Sequence, residues 1–324
     1  MKPTDAIAIF KSYMSERRLM RRTQKCYLGH VERFFKFKSP TGLTAEEKVV
    51  AYLGWLADER SAVMQKQALN ALVALYRALD RPLGDMPDWV SPVIKHRVPV
   101  WVCREEAVRI IELLPPPWNE IASLLYGGGL RISEALSLRS KDLDSHAGTI
   151  TVRAGKGDKD RVTLLPKFIV PALAARYKLN RTIWEEDRAA GLPGVEVPDS
   201  VGRKIPQAGT QWPWFWVFPA AGQSTDPQSG IIRRHHLHEA GFAKALGKAV
   251  TRARINKRVT AHAFRHGFAT SYLAQGGTIQ ELKDLMGHTS IKTTETYLHC
   301  LPELASRVSS PLDAPNVIQF RKTG

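Results

Sequence analysis

Residues 262–297 read HAFRHGFATSYLAQGGTIQELKDLMGHTSIKTTETY, and the fold is decided by how this stretch is punctuated. Apolar spacing predicts helices over about His262–Gln275, Ile279–Met286 and Lys292–Leu298, with Gly276-Gly277 and Gly287 as the stops between them. His262 and Arg265 are three residues apart and so share a helix face. An imidazole beside a guanidinium suits an anionic oxygen and supplies a proton donor. His266 is one residue further round, where it caps or packs. His288 follows the glycine stop directly, and Tyr297 ends a polar run that suits an exposed segment.

Working back toward the N-terminus, Arg131 follows Gly127-Gly128-Gly129 and opens a helix over Arg131–Leu138. A guanidinium there can reach a phosphate that the helix N-terminus also favours. Thr149–Arg153 and Arg161–Leu165 read as a hairpin, with Lys156 between two glycines at its tip and Lys159 and Arg161 beside it. A helix over Glu105–Leu114 is stopped by three prolines, and another starts at Ile121. Residues 211–218 (QWPWFWVF) look like a strand entry, and a helix is expected over Arg233–Arg252. Before all this, residues 1–95 carry four amphipathic helical patterns, among them Ile7, Phe10 and Met14 and, later, Leu69, Leu72, Val73 and Tyr76. Pro82, Pro87, Pro92 and Pro99 then give linker composition. The expected architecture is mainly α with a small antiparallel β-sheet, in two domains: a helical one at 1–95 and a mixed α/β one at 96–324.

The 324 residues carry 47 Lys and Arg against 31 Asp and Glu, a formal charge of +16. Residues 1–95 hold 16 basic and 10 acidic residues, and the remainder 31 and 21, so both halves are basic. That distribution fits a polyanion touched by both domains better than a basic tail on a neutral body. Arg17, Arg18, Arg21, Arg22 and Lys25 recur at helical spacing on one of the N-terminal helices and share a face, with one acid nearby (Glu16), which favours phosphate contact over a merely solvated face. Cys26, Cys103 and Cys300 form no CxxC pair, which argues against a disulfide framework or a structural zinc site. No apolar run reaches the roughly 20 residues of a membrane span, and the N-terminus lacks a signal-peptide pattern. A cytoplasmic protein with no membrane partner is expected.

Taken together, Arg131, Lys156, His262, Arg265, His288 and Tyr297 appear in the order R…K…HxxR…GH…Y. This order resembles the tyrosine recombinase (phage integrase) family over the whole catalytic half. The matching strings are Gly129-Leu130-Arg131-Ile132-Ser133-Glu134, Gly155-Lys156-Gly157, His262 to His266, Leu285-Met286-Gly287-His288, and Thr293-Thr294 with Tyr297. Arg22-Thr23, Tyr27, Phe34 and Gln67-Ala68-Leu69 resemble that family's SAM-like core-binding domain, which with the catalytic domain forms a C-shaped clamp on duplex DNA. The resemblance implies that Arg131 and Arg265 clamp the non-bridging oxygens of a phosphodiester, with His262 and His288 adding donors. Tyr297 would be the nucleophile, leaving a 3′-phosphotyrosine, and Lys156 the acid for the departing 5′ hydroxyl. No metal ion and no nucleotide cofactor are implied, because the phosphotyrosine conserves the bond energy.

Residues 196–238 go further. Pro198-Asp199, Trp212 to Phe218, Ser224 to Pro227 and Arg233-Arg234-His235-His236 resemble the extra segment of integron integrases, as Ser310 to Asp313 resembles their tail. Those enzymes integrate and excise gene cassettes at sites folded from a single strand, whose extruded bases need a face to stack on. By resemblance Trp214, Pro227, His235 and His236 would hold such bases, with Arg233, Arg234, Lys159 and Arg161 on the DNA. Within Trp212, Trp216 and Phe218 the strand period assigns some rings to core. His235, His238 and Glu239 have metal-ligand spacing without further ligands, so no metal is expected. The family works as a homotetramer on DNA, and residues 298–324 would dock on a neighbour. A phage-type or dimer-resolving recombinase acting on duplex sites, and a non-catalytic DNA-binding relative, remain the rival readings.

Overall fold

The computed structural model describes residues 2–59, 62–86, 89, 100–153, 160–227 and 229–298. The chain forms two compact units, Met1–Arg97 and Val98–Gly324.

The first unit is built from α1 (Pro3–Glu16), α2 (Arg21–Lys36), α3 (Ala45–Glu59) and α4 (Ala62–Ala78). Helix α3 starts with a capping box formed by Thr44 and Glu47. The Glu47 amide donates to Thr44 Oγ1 at 3.2 Å, and the Thr44 amide to Glu47 Oε2 at 2.8 Å. The four apolar faces close on Phe10, Met14, Val31, Phe34, Tyr52, Leu53, Leu56, Leu72 and Leu75, all buried. Phe34 is central, with ring centroids 5.3 Å from Tyr52 and 6.5 Å from Tyr76.

One expectation fails here. The basic stretch does not lie on a single helix. Helix α1 ends at Glu16, Arg17 is its C-cap, and Arg18 takes a left-handed backbone (φ 51°) that turns the chain before α2 begins. The turn places the five basic residues on two helix ends, and all five remain exposed. The Arg17 guanidinium lies 4.6 Å from the Tyr13 ring centroid.

The second unit runs α5 (Arg104–Leu113), α6 (Trp118–Gly128), α7 (Ile132–Leu136), β1 (Leu143–Asp144), β2 (Thr149–Val152), β3 (Arg161–Leu164), α8 (Val170–Ala189), α9 (Asp199–Lys204), β4 (Pro219–Thr225), β5 (Ile232–His236), α10 (Glu239–Arg252), α11 (Ala261–Ala274), α12 (Ile279–Met286) and α13 (Ile291–Glu295). Helices α6 and α11 pack against each other, α5 and α10 lie on α6, and α12 lies against β3. The main core gathers Ile110, Ile121, Leu125, Leu136, Ile150, Phe218, Phe242 and Phe264. Strands β1, β2 and β3 form an antiparallel sheet, with Val152 opposite Arg161 at its open end. Residues 154–159, which include Lys156 and Lys159, lie outside the described residues.

Two elements differ from expectation. Residues 212–214 form a short 3-10 turn, because Pro213 cannot sit in a strand ladder and fits the first turn of a helix. Residues 232–236 are strand β5 of an antiparallel hairpin with β4, and the helix starts only at Glu239, where His238 Nδ1 accepts from the Ala240 amide at 3.1 Å. Cross-strand pairing outweighs the weak helical reading of this polar run. Among the described residues no helix is long and apolar enough to cross a membrane.

Phe34→Ala should cost about 3–5 kcal/mol through lost burial and the cavity left behind. Hydrogen-exchange mass spectrometry should then show protection lost across residues 3–78 while the helices from 104 onward keep theirs.

Candidate active site

The site grows from Gly129, where α6 ends in a left-handed C-cap (φ 64°). A side chain there would strike the Phe268 ring, so glycine is required for conformation and for space. The turn delivers Arg131 to the N-cap of α7 and Glu134 to its third position. The Arg131 amide donates to Glu134 Oε2 at 2.8 Å, and Arg131 Nη1 to Oε1 at 2.6 Å. Strand β3 brings Arg161 to the same carboxylate with two parallel hydrogen bonds, Nη1 to Oε1 at 2.9 Å and Nη2 to Oε2 at 2.6 Å. Arg161 Nε donates to Leu285 O at 2.9 Å and so ties β3 to α12. Helix α11 supplies Arg265, whose Nη1 lies 3.7 Å from Glu134 Oε2 and also donates to Gly129 O. Its Nη2 donates to Met286 O at 2.6 Å and to His288 Nε2 at 3.3 Å.

Three guanidiniums thus surround one buried carboxylate. Burial alone would raise the Glu134 pKa, but the hydrogen bonds and charge of Arg161, with the Arg131 amide and Arg265, hold it down to about 2. Burial, with repulsion from Arg131 and Arg161, brings Arg265 down to about 9, still cationic at neutral pH. One carboxylate cannot balance three guanidiniums, so the cluster holds surplus positive charge. Arg131, 23% exposed in its side chain, is its open member, and His262 is exposed on the first turn of α11.

The turn at Gly287 (φ 62°) then presents His288. A side chain on Gly287 would come within 2.7 Å of Arg161 Cδ. Because Arg265 can only donate, His288 Nε2 accepts, and its Nδ1–H donates to Thr294 Oγ1 at 2.9 Å. Burial, with Arg265, Arg131 and Arg161, lowers His288 to about 4. Its ring lies parallel to that of Tyr297, with centroids 6.3 Å apart. Tyr297 is 4% exposed and packs with Phe268, Leu273, Leu282 and Met286, against the exposure expected of its segment. Its Oη is 2.9 Å from His266 Nδ1. Burial, then His262 and Arg265, lowers His266 to about 4.

Arg131, Arg265, His288 and Tyr297 therefore converge as the sequence order suggested, with His262 on the exposed end of the same helix as Arg265. Arg161 needs correction as a phosphate contact: its side chain is 8% exposed and spent on Glu134 and Leu285, so it braces the cluster. Glu134 and His266 were not singled out. Glu134 had a local signal, three residues after the turn that carries Arg131, in the N3 position of a capping box.

A second cluster lies on the segment after α8. Lys141 Nζ sits 2.8 Å from the Trp214 ring centroid, and the Arg139 guanidinium 3.2 Å from that of the buried Trp216. His235 and His236 pack on Trp216 at 5.3 and 4.9 Å, and His235 Nε2 is 3.5 Å from Glu196. His236 Nδ1 donates to Leu237 O at 2.6 Å, and burial lowers its pKa to about 4, so it is neutral. Trp214, His235 and His236 are half-buried, whereas Pro227 is exposed beyond the far end of the β4–β5 hairpin. The four do not form one surface. Arg233 and Arg234 also depart from expectation. Arg234 makes two 2.6 Å bonds to Asp187 and donates to the carbonyls of Ala220 and Ala221. Arg233 donates to Ser229 at 3.0 Å and pairs with Asp226. Both staple the hairpin rather than face solvent. Among the described residues no three His, Cys, Asp or Glu side chains converge as metal ligands.

Comparison with known proteins bears on this geometry. The pattern described as "Phage integrase family" matches residues 104–303, and "Phage integrase, N-terminal SAM-like domain" matches residues 7–85. An "Integrase/recombinase" of Escherichia coli is 44% identical over 299 residues, covering 90% of this chain and 88% of its own. "Tyrosine recombinase XerA" of Thermococcus kodakarensis is 27% identical over 302 residues, covering 91% of each. The solved Tn1549 transposon integrase in complex with transposon right end DNA shares the fold, with a TM-score of 0.62 at 16% identity over 90% of this chain and 94% of that one. The chain belongs to the phage integrase family of tyrosine recombinases, enzymes of site-specific DNA recombination.

The two site histidines titrate at about 4 in the folded chain against 6.5 unfolded. Between those values the unfolded chain binds more protons, so their contribution to stability is complete above about pH 6.5 and is lost as pH falls toward 4. Glu134 behaves likewise between its ordinary value of 4.5 and about 2. Urea midpoints should fall steadily between pH 6.5 and 4, and His288→Asn should flatten that fall. Glu134→Ala, which strips three arginines of their shared partner, should cost about 3–5 kcal/mol.

Proposed function

We propose that the chain is an integron-type site-specific recombinase that integrates and excises gene cassettes by cutting and rejoining DNA through a 3′-phosphotyrosyl link at Tyr297. The observation that carries the chemistry is the surplus-positive cluster of Arg131, Arg161 and Arg265 on Glu134, with His288 joining Arg265 to the buried Tyr297. Arg131 and Arg265 would grip the non-bridging oxygens of the scissile phosphate, with His262 donating from the exposed side. Lys156 would protonate the departing 5′ oxygen. The energy of the broken bond is kept in the phosphotyrosine, so rejoining takes no cofactor.

The cassette reading rests on residues 196–238, where Trp214 and the imidazoles on Trp216 offer stacking faces to bases extruded from a folded single strand, at about 1–3 kcal/mol per base. Lys141 would leave the Trp214 face as a base arrives. The exposed Arg17, Arg18, Arg21, Arg22 and Lys25 would follow the phosphate backbone from the N-terminal, core-binding unit. The active form would be a homotetramer clamped on two DNA sites, one folded strand and one duplex. A second reading, a phage-type or dimer-resolving recombinase confined to duplex sites, would use the same catalytic residues.

The deciding experiment offers the chain a folded bottom-strand cassette site and the matching duplex, beside a Tyr297→Phe control, on a denaturing gel. A protease-sensitive shifted band on the hairpin, absent in the control, is expected. A band mainly on duplex keeps the tyrosine chemistry and overturns the cassette reading. Binding to both DNAs with no covalent band counts against the enzymatic reading.

A further inference from the structure

The described interactions of Tyr297 include a partner that the expected catalytic set left out. His266 Nδ1 stands 2.9 Å from Tyr297 Oη, with ring centroids 5.4 Å apart. Of the other imidazoles nearby, His288 has both nitrogens engaged, one by Arg265 and one by Thr294, and its ring lies parallel to the tyrosine's rather than pointing at its oxygen. His262 is on the exposed first turn of α11, its ring centroid 6.4 Å from that of His266. We infer that His266 is the general base of the cleavage step, accepting the Tyr297 phenolic proton at Nδ1 as the tyrosine attacks phosphorus. This rests on the reading of Tyr297 as the nucleophile.

The step balances. The proton passes from Oη to Nδ1, the Oη–P bond forms, the P–O5′ bond breaks, and O5′ takes a proton from the general acid, leaving a 5′ hydroxyl and an imidazolium. On rejoining, the 5′ hydroxyl gives its proton back to the general acid as it attacks phosphorus, the O5′–P bond re-forms, the P–Oη bond breaks, and His266 returns its proton to Oη. No outside proton, oxidant or metal enters.

The surroundings also time the transfer. Among the described residues, the charged and titratable groups facing His266 are His262 and Arg265 from its own helix, His288 from the Gly287 turn and Tyr297 from the segment after α13. Burial and the positive groups keep His266 unprotonated in the free protein, so its Nδ1 lone pair is open to the phenol whenever Nε2 carries the ring proton. A phosphodiester held by Arg265 brings negative charge into that field. The repulsion that made His266 a poor proton acceptor then weakens at the moment the phenol must lose its proton.

The test compares the wild type with His266→Asn, whose side-chain oxygen can accept the same hydrogen bond but does not take up a proton. The readout is single-turnover covalent-complex formation on the folded bottom-strand cassette site or its duplex, whichever the wild type cleaves. DNA binding should persist. The rate should fall by about 100-fold or more at pH 7 and climb about tenfold per pH unit, as solvent takes over deprotonation. A variant within a few-fold of wild type would leave His266 as a positioning residue and sink the inference. So would recovery on DNA with sulfur at the bridging 5′ position, since that substitution relieves the need for an acid and not for a base. Tyr297→Phe on the same DNA keeps the two readings apart: an adduct that survives this change removes the nucleophile assignment. Independently of any DNA, nitrogen-15 NMR of the His266 ring should show Nε2–H and a bare Nδ1 at neutral pH, and Nδ1–H there would overturn the assignment.

Discussion

The catalytic unit is organised around one carboxylate. Glu134 is buried and accepts from Arg131 and Arg161, with Arg265 3.7 Å away. Removing charge from water is costly, and an unpaired buried carboxylate would not stay ionised. The arginines solve that problem and Glu134 solves theirs, since three guanidiniums would otherwise repel one another at this range. Their meeting point fixes the relation of α7, β3 and α11. Arg161 extends the brace to Leu285 at the end of α12, and Arg265 reaches Met286 and His288. The turn that carries His288 alongside Tyr297 is thus held by Arg161 and Arg265, two of the three arginines that share Glu134.

Surplus charge is the functional consequence. Three guanidiniums on one carboxylate leave positive charge over, and Arg131 is the member of the cluster that is still partly open. Preorganised donors in a site with little water are worth more than the same donors in solvent. A phenol with an ordinary pKa near 10 needs such a field to act as a nucleophile at neutral pH. The cost shows in the histidines, whose neutral forms are enforced by burial and by the arginines beside them.

Much of this was legible in the sequence because the signals were local. The helix stops at Gly129 and Gly287 and the face shared by His262 and Arg265 follow from spacing and turn chemistry. What escaped was set by distant partners. Arg161 looked like one more exposed cation because nothing near it in sequence announces Glu134. The run at 232–236 looked helical until β4 paired with it, and Arg233 and Arg234 looked available for phosphate until Asp226 and Asp187 took them. Arg18 gives no sign in its identity that it will turn the chain. His266 was visible as a histidine, but its role depends on a tyrosine 31 residues away folding back against it.

The chemical identity of the DNA linkage tells whether this field acts on Tyr297. The covalent complex formed on a nicked cassette-site substrate would be digested with trypsin and nuclease and sequenced by tandem mass spectrometry. A residual nucleotide is expected on Tyr297, in the peptide that begins at Thr293. A nucleotide on Tyr272, or on any other side chain, would contradict it.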